Sequence, residues 1–439
     1  MIPISSQGFR RYFANTSWLM GHRVLSMIVA LFVGVYVARY LGPERFGLLS
    51  YAGSFVGLFT ALATLGLDGI LVRELVKTPE RRDELLGTAF WLKAVGAILM
   101  WAGIAAAVPF THNDTQTNIL IVIIAFAVIF QAFNVIDFNY QAEVKSKYVV
   151  YAQLVSLVLS SITKLIFIWI SAPLVWFACV FLLDAVVRAV GLTAVYLKNT
   201  GKVWYWKWRW EIAKELLRDS WPLILSSGAI MIQARIDQVM LKEMIGSAEV
   251  GQYSVAMRMI EAFGFIPMVI YSSLAPSITN AKKTSETFYR QRLIQLYRLM
   301  FLLFLATAIP IYLTAKPVVI FLFGGAYAKA GWLLQLFAIR LFFANMGVAR
   351  SLFITNNNLF KYSFIASVVG AITNITFNYL LIPSYGASGA IIATIISFTL
   401  TIFVLDAFYS KTKDNFIAMI NGIWSFWRLF SEGFAEKHN

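Results

Sequence analysis

Cysteine, histidine and charge are all scarce in this chain. Its 439 residues include one cysteine, Cys179, and three histidines, His22, His112 and His438. An internal disulfide is therefore impossible, and neither a Cys-cluster nor a His-rich metal site can be assembled. Charged residues make up 13%, against ~25% in an average soluble domain. No nucleotide-binding motif occurs, so ATP is not the expected driver of any work the protein does. What is abundant is apolar: 59% hydrophobic and 15% aromatic residues, with a mean hydropathy of +0.71. Even a ~300-residue soluble fold buries only ~75% of its chain's surface, too little to hide this composition. A cytosolic globular enzyme and a disordered chain are both excluded. The net charge of +15 would suggest nucleic acid in a soluble protein. In an apolar one it points to basic loops against an anionic cytoplasmic leaflet, with no nucleic-acid partner.

A membrane-spanning helix takes about 20 mostly apolar residues. Twelve such runs are expected, at 16–39, 46–75, 86–108, 118–140, 149–171, 174–197, 219–244, 250–279, 293–314, 331–355, 360–382 and 386–409. None alternates as a barrel strand would, and the first is too long and lacks the small-residue cleavage site of a signal peptide. The connecting segments expected on one side carry at least nineteen Lys and Arg; those on the other carry Arg45, Lys316 and Lys329. This bias places both termini in the cytoplasm and the protein in the cytoplasmic membrane as a multi-pass chain. Outer loops are very short, apart from 315–330, where Gly324-Gly325 suggests a small re-entrant or interfacial turn. No segment outside the membrane is large enough for a catalytic domain. Trp204-Tyr205-Trp206-Lys207-Trp208-Arg209-Trp210 mixes indoles with cations, as interfacial belts do. Beyond residue 412, Phe416, Ile420, Ile423, Trp424, Trp427 and Phe434 recur at helical spacing, predicting an amphipathic helix on the cytoplasmic face.

The chain repeats itself. Leu41 to Ala52 and Ile245 to Ala256 share Gly-x4-Gly followed by Ser and Ala, with Gly42 and Gly246, Gly47 and Gly251, Ser50 and Ser254, and Ala52 and Ala256 all 204 positions apart. Each segment joins an odd span to an even one on the outer side, where a tight turn can need a positive φ that only glycine adopts cheaply. An even number of spans separates the copies, so the halves share one orientation. The expected organisation is an N-terminal six-helix lobe (1–197), a cytoplasmic linker (198–218), a C-terminal six-helix lobe (219–409) and a cytoplasmic amphipathic tail (410–439). In fold class this is an all-α polytopic membrane protein with about twelve transmembrane helices, its two pseudo-symmetric lobes flanking a central cationic cavity.

Charges at membrane depth cost roughly 2.5–3.5 kcal/mol each and usually face a wet interior. Cations inside the runs are Arg23, Lys164, Arg188, Arg235, Arg258 and Arg340; anions are Asp68, Asp137, Asp184, Asp237 and Glu261. Asp184 and Arg188 (i, i+4) and Arg258 and Glu261 (i, i+3) can neutralise each other within one helix. Arg23, Lys164, Arg235 and Arg340 have no such neighbour, and surplus arginines suit a phosphorylated anion. The candidate anion-binding set is Arg23, Lys164, Arg235, Arg258 and Arg340; Asp68, Asp237 and Glu261 are candidates for proton or sodium coupling; no metal ligand, catalytic residue or bound cofactor is expected. Arg73 and Lys93, near span ends, should snorkel to head groups. His22 should pack on or bond a neighbouring helix rather than relay protons, and Thr373, Asn374, Thr376 and Asn378 in the eleventh run should bond between helices, with sugar hydroxyls as the alternative partners.

Asn15-Thr16-Ser17-Trp18, then Val37 to Gly47, then Leu65-Gly66-Leu67-Asp68-Gly69-Ile70 with Arg73-Glu74, and the late Leu381 to Ala390 resemble polysaccharide flippases of the Wzx type, within the multidrug/oligosaccharidyl-lipid/polysaccharide exporter superfamily. The resemblance implies a non-enzymatic carrier with a twelve-helix, two-lobed fold. Its cargo would be a polyprenyl-diphosphate-linked oligosaccharide, moved from the cytoplasmic to the outer leaflet by alternating access for cell-surface polysaccharide synthesis. It implies membrane lipid and other polysaccharide-assembly membrane proteins as partners, and it singles out Arg23 and Arg258. The alternatives are an ion-coupled multidrug exporter of the same superfamily and, more distantly, a membrane glycosyltransferase or polymerase.

Overall fold

The computed structural model describes residues 6–429, with side chains from residue 17; Phe434 and His438 lie outside the described residues. All regular elements among the described residues are helical. In chain order they are α1 (Ser6–Thr64), α2 (Asp68–Lys77), α3 (Arg82–Ala107), α4 (Thr115–Ile129), α5 (Val135–Ala142), α6 (Lys147–Trp169) and α7 (Leu174–Asn199), followed by α8 (Trp210–Met244). After these come α9 (Ser247–Glu261), α10 (Phe265–Thr284), α11 (Glu286–Phe323), α12 (Ala328–Asn356), α13 (Phe360–Tyr385), α14 (Ala387–Phe398), α15 (Leu405–Phe408) and α16 (Lys413–Trp424). A π-helical stretch, Thr399–Val404, links α14 to α15.

Ten helical stretches among the described residues are long and apolar enough to cross a bilayer, and the chain is a multi-pass membrane protein. Two departures separate this from the twelve expected runs. The first stretch, Ser17–Lys77, is 61 residues long and absorbs two of them. It is broken inside α1 at Gly42 (φ 70°, ψ 172°) and again where Leu65 and Gly66 take φ values of 51° and 61°. The seventh run is helical as α8, but Ser220, Ser226, Ser227, Gln233, Arg235 and Asp237 dilute its hydropathy.

The glycine turns of the repeat take the backbone conformation the repeat predicts. Gly246, which precedes α9, has φ 129° and ψ 172°, the same glycine-only region that Gly42 occupies. A side-chain carbon added at either position would meet nothing within 4 Å, so backbone conformation, not space, requires the glycine. Most of the 315–330 segment is helical, continuing α11 to Phe323 and beginning α12 at Ala328; the turn itself is short, Gly324 (φ 88°) leading into a 3-10 turn, Gly325–Tyr327.

Contacts divide the chain into two compact units, Met1–Val239 and Met240–Asn439; the division falls inside α8. In the first unit Leu67, Leu71, Leu86, Val135 and Tyr196 form a core with Ala213 of α8. The aromatic linker is fixed to this unit. Trp206 donates through Nε1 to the Tyr196 hydroxyl (3.1 Å) and packs on Phe90, and the Lys207 amide bonds the Asp83 carbonyl. Trp204, Trp208 and Trp210 remain exposed, as an interfacial belt requires.

In the second unit Tyr289, Tyr297, Met300, Met346 and Met419 are core residues. The tail is helical over α16, which buries Asn415, Ala418, Met419 and Gly422 against α11. Glycine at 422 permits the approach, since an added Cβ would sit 2.5 Å from the Tyr297 Cβ. Phe416 and Ile423 flank that contact, while Trp424 and Trp427 stay exposed.

Candidate functional site

In the first unit α1, α4, α6 and α7 enclose two half-open hollows that share Phe181, Asp184 and Arg188 of α7. One, about 370 Å³, lies against the first segment of α1 and α6 and is lined by His22, Ser26, Gln153, Ser160 and Lys164 besides the shared residues. The other, about 400 Å³, lies against the second segment of α1 and α4 and is lined by Gly57, Thr60, Gln131 and Asn134. These helices approach closely because their facing residues are small: a Cβ on Gly191 of α7 would lie 3.0 Å from that of Ala152 on α6.

Asp184 and Arg188 form the expected intrahelical pair, Nη2 to Oδ2 at 2.8 Å. Ser156 of α6 donates to Asp184 Oδ1 at 2.6 Å. The other end of the guanidinium is not satisfied: Arg188 Nε is buried without a hydrogen-bond partner among the described residues. Lys164 enters the same hollow, so its lining holds two fixed cations, Lys164 and Arg188, and one carboxylate, Asp184. His22 and the Ser26 hydroxyl lie one turn apart on α1, within 3.2 Å, a contact inside the helix rather than to a neighbouring one.

The remaining expected cations are distributed as follows. Arg235 of α8 lays its stem along α1, where Gly57 leaves room; a Cβ there would stand 3.4 Å from Arg235 Cγ. No carboxylate lies within ion-pairing distance of Arg235 among the described residues. Arg23 is exposed on α1 and lines neither hollow, because one residue past His22 turns its side chain about 100° round the helix. In the second unit Arg340 is held by aromatic faces, its guanidinium carbon 5.6 Å from the Phe337 ring centre and 5.5 Å from that of Phe398. Arg258 and Glu261 are both exposed on α9. The i, i+3 pair does not form: Glu261 makes no ion pair among the described residues, and it ends α9 where the backbone turns toward Gly264. The cations that converge are thus Lys164 and Arg188, with Arg235 at the wall that contains Gly57.

Of the candidate coupling acids, Asp68 begins α2 and binds Lys93 of α3 at 2.6 Å. Lys93 does not snorkel. Only 3% of its side chain is exposed, and it also sits 5.0 Å over the Phe138 ring. The break at Gly66 brings Asp68 over α3, and the carboxylate holds the ammonium inside. Arg73, by contrast, is exposed and pairs at the surface with Glu74 (2.7 Å) and Asp219 (2.5 Å). Asp237 is buried on α8 beside Gln238, which accepts from Ser54 at 2.6 Å. Asn374 bonds between helices as expected, donating to Thr394 of α14 at 3.2 Å; Asn378 donates to Asn374 within α13.

One buried ion pair escaped the sequence. Arg350 of α12 meets Asp406 of α15 (2.7 Å), 56 positions away, with no local spacing to reveal it.

The family described as polysaccharide biosynthesis proteins matches residues 12–282. A candidate O-antigen transporter of Shigella flexneri is 23% identical over 416 residues, covering 90% of this chain and 97% of that protein. Among solved structures, the lipid II flippase MurJ in an inward closed conformation aligns with a TM-score of 0.72 at 15% identity, over 94% of this chain and 92% of that one. An inward-facing multidrug resistance MATE family transporter of the MOP superfamily aligns at 0.67 and 16% identity, over 92% and 96%. The fold is that of these transporters.

Proposed function

The chain belongs to the polysaccharide biosynthesis protein family, and on that premise we propose that it is a flippase. Its cargo is a polyprenyl-diphosphate-linked oligosaccharide, carried from the cytoplasmic to the outer leaflet of the cytoplasmic membrane by a chain with both termini in the cytoplasm. The supporting observation is the charge balance of the first unit's hollows, where Lys164 and Arg188 face the single carboxylate Asp184 and Arg235 stands near with none. Guanidinium and ammonium groups in a polar recess suit a diphosphate. An organic cation, the cargo of a drug exporter, would need the opposite balance.

Unassisted passage would strand the diphosphate and many hydroxyls in hydrocarbon at several kcal/mol each. The head group therefore travels inside the protein while the prenyl tail stays in lipid, by alternating access. Arg23, Arg258 and Arg340 are further candidate contacts for the diphosphate. Asp68, Asp237 and Glu261 are the candidate acids for a proton or sodium countermove, which would gain ~2.3 kcal/mol per charge per 100 mV.

The test is reconstitution into vesicles with labelled polyprenyl-diphosphate oligosaccharide. Vesicles with the protein should bring more label within reach of an outside probe than protein-free vesicles, with or without an imposed ion gradient. Equal accessibility in both would reject the flippase reading. Uptake of cationic dyes in its place would favour a drug exporter.

A further inference from the structure

The hollow beside α4 differs in chemistry from its cationic neighbour. Between α4 and α5 the chain tightens into a 3-10 segment, Phe130–Asn134. With three residues per turn, side chains three apart stack on one side, so Gln131 and Asn134 project together, and both line this hollow. Neither carboxamide is hydrogen-bonded to another described residue. Across from them, Arg188 Nε is buried with no partner, and Thr60 uses its hydroxyl hydrogen on the Val56 carbonyl (3.3 Å), leaving oxygen lone pairs for a further donor. Phe130 and Phe181 supply apolar surface.

Polar groups inside a membrane bundle normally bond one another. Here two carboxamides are stacked side by side and left open toward a space of about 400 Å³. Each offers paired donors and an acceptor, the complement of adjacent hydroxyls, and the rings suit the C–H face of a sugar. Arg188 is the one cation in its lining, since Arg235 lies along Gly57 without lining the hollow; a phosphate would call for more cations, and a prenyl tail would not be served by amides.

We propose that this hollow is a sugar subsite. It holds a pyranose ring of the cargo between Gln131, Asn134, Thr60 and the Phe130 and Phe181 rings, while the Asp184–Arg188 pair forms the wall shared with the diphosphate-binding hollow. The inference rests on the lipid-linked oligosaccharide reading above and adds where the glycan is recognised.

Binding of two probes to the purified full-length protein separates the two ideas: the lipid-linked oligosaccharide extracted from the host membrane, and bare polyprenyl diphosphate of the same chain length. Wild type should bind the glycosylated lipid about tenfold more tightly than the bare one, the size of effect two neutral hydrogen bonds provide. The Gln131→Leu/Asn134→Leu double variant should erase that difference and keep the bare-lipid affinity, which also reports that it is folded. Lys164→Ala should weaken both lipids together. The subsite is overturned if wild type binds both lipids equally, if the double variant keeps the preference, or if it loses both lipids in parallel. Failure of wild type to bind either lipid would instead overturn the functional reading beneath it.

Discussion

Arg350 grips Asp406 through two hydrogen bonds, Nε to Oδ2 at 2.8 Å and Nη2 to Oδ1 at 2.7 Å, deep in the second unit. The same carboxylate accepts from the Tyr362 hydroxyl (2.7 Å) and the Asn415 amide (3.2 Å). Asn415 in turn accepts from Tyr297, so the network pins the start of α16 to α11, α12 and α13. Removing one partner of such a pair leaves a buried charge uncompensated, at a cost of about 3–5 kcal/mol. Asp406→Asn should therefore lower the melting midpoint in detergent sharply and make the α16 segment sensitive to protease. Arg350→Met combined with Asp406→Leu should recover part of the loss. A midpoint unchanged by Asp406→Asn would show that the network contributes little.

Gly42 and Gly246 occupy a backbone region closed to other residues, with free space around both. Gly42→Ala and Gly246→Ala should each cost ~1–3 kcal/mol through backbone strain alone. Gly21→Ala is the control: it lies within α1, with nothing near its added carbon, and should be neutral or stabilising by up to ~1 kcal/mol. Thermal midpoints of the three variants measure the contrast, and equal shifts would contradict it.

A side chain at Gly87 would collide with the linker backbone, 2.6 Å from the Lys207 amide nitrogen and 2.7 Å from its carbonyl oxygen. Gly87→Val should lift Trp206 off Phe90 and expose residues 202–209 to trypsin, which cuts after the lysines and arginine there. Unchanged digestion of this segment in solubilised protein would count against the docking.

If the hollow lined by Lys164 holds the diphosphate and Arg235 adds positive charge beside it, Lys164→Ala and Arg235→Met should each reduce vesicle translocation about 10- to 100-fold, as expected for charged hydrogen bonds worth ~1.5–3 kcal/mol. Conservative Arg235→Lys should keep more activity than Arg235→Met, with melting midpoints near wild type. Equal translocation by all three variants would remove these residues from the cargo path.

Much of this molecule was legible in one dimension. The glycine turns were, because positive φ is a local property of a residue and its repeat distance marks it twice. The Asp184–Arg188 pair was, because i, i+4 spacing fixes proximity within a helix. Lys93 was misread, because a snorkelling lysine and one held by an acid on another helix have the same local sequence; Asp68 is 25 residues from Lys93. Gln131 and Asn134 passed unnoticed for a related reason: a short switch from α to 3-10 geometry aligns them, and periodicity does not show it.

Hydropathy and internal repetition, both additive along the chain, sufficed to establish a helical multi-pass membrane protein with glycine-hinged turns. Which cations keep company with acids, which amides are left open, and that the tail helix docks on α11 were settled only by packing. Those outcomes depend on distances between residues far apart in sequence, where a shift of one helix face decides whether a charge is neutralised or left facing a hollow.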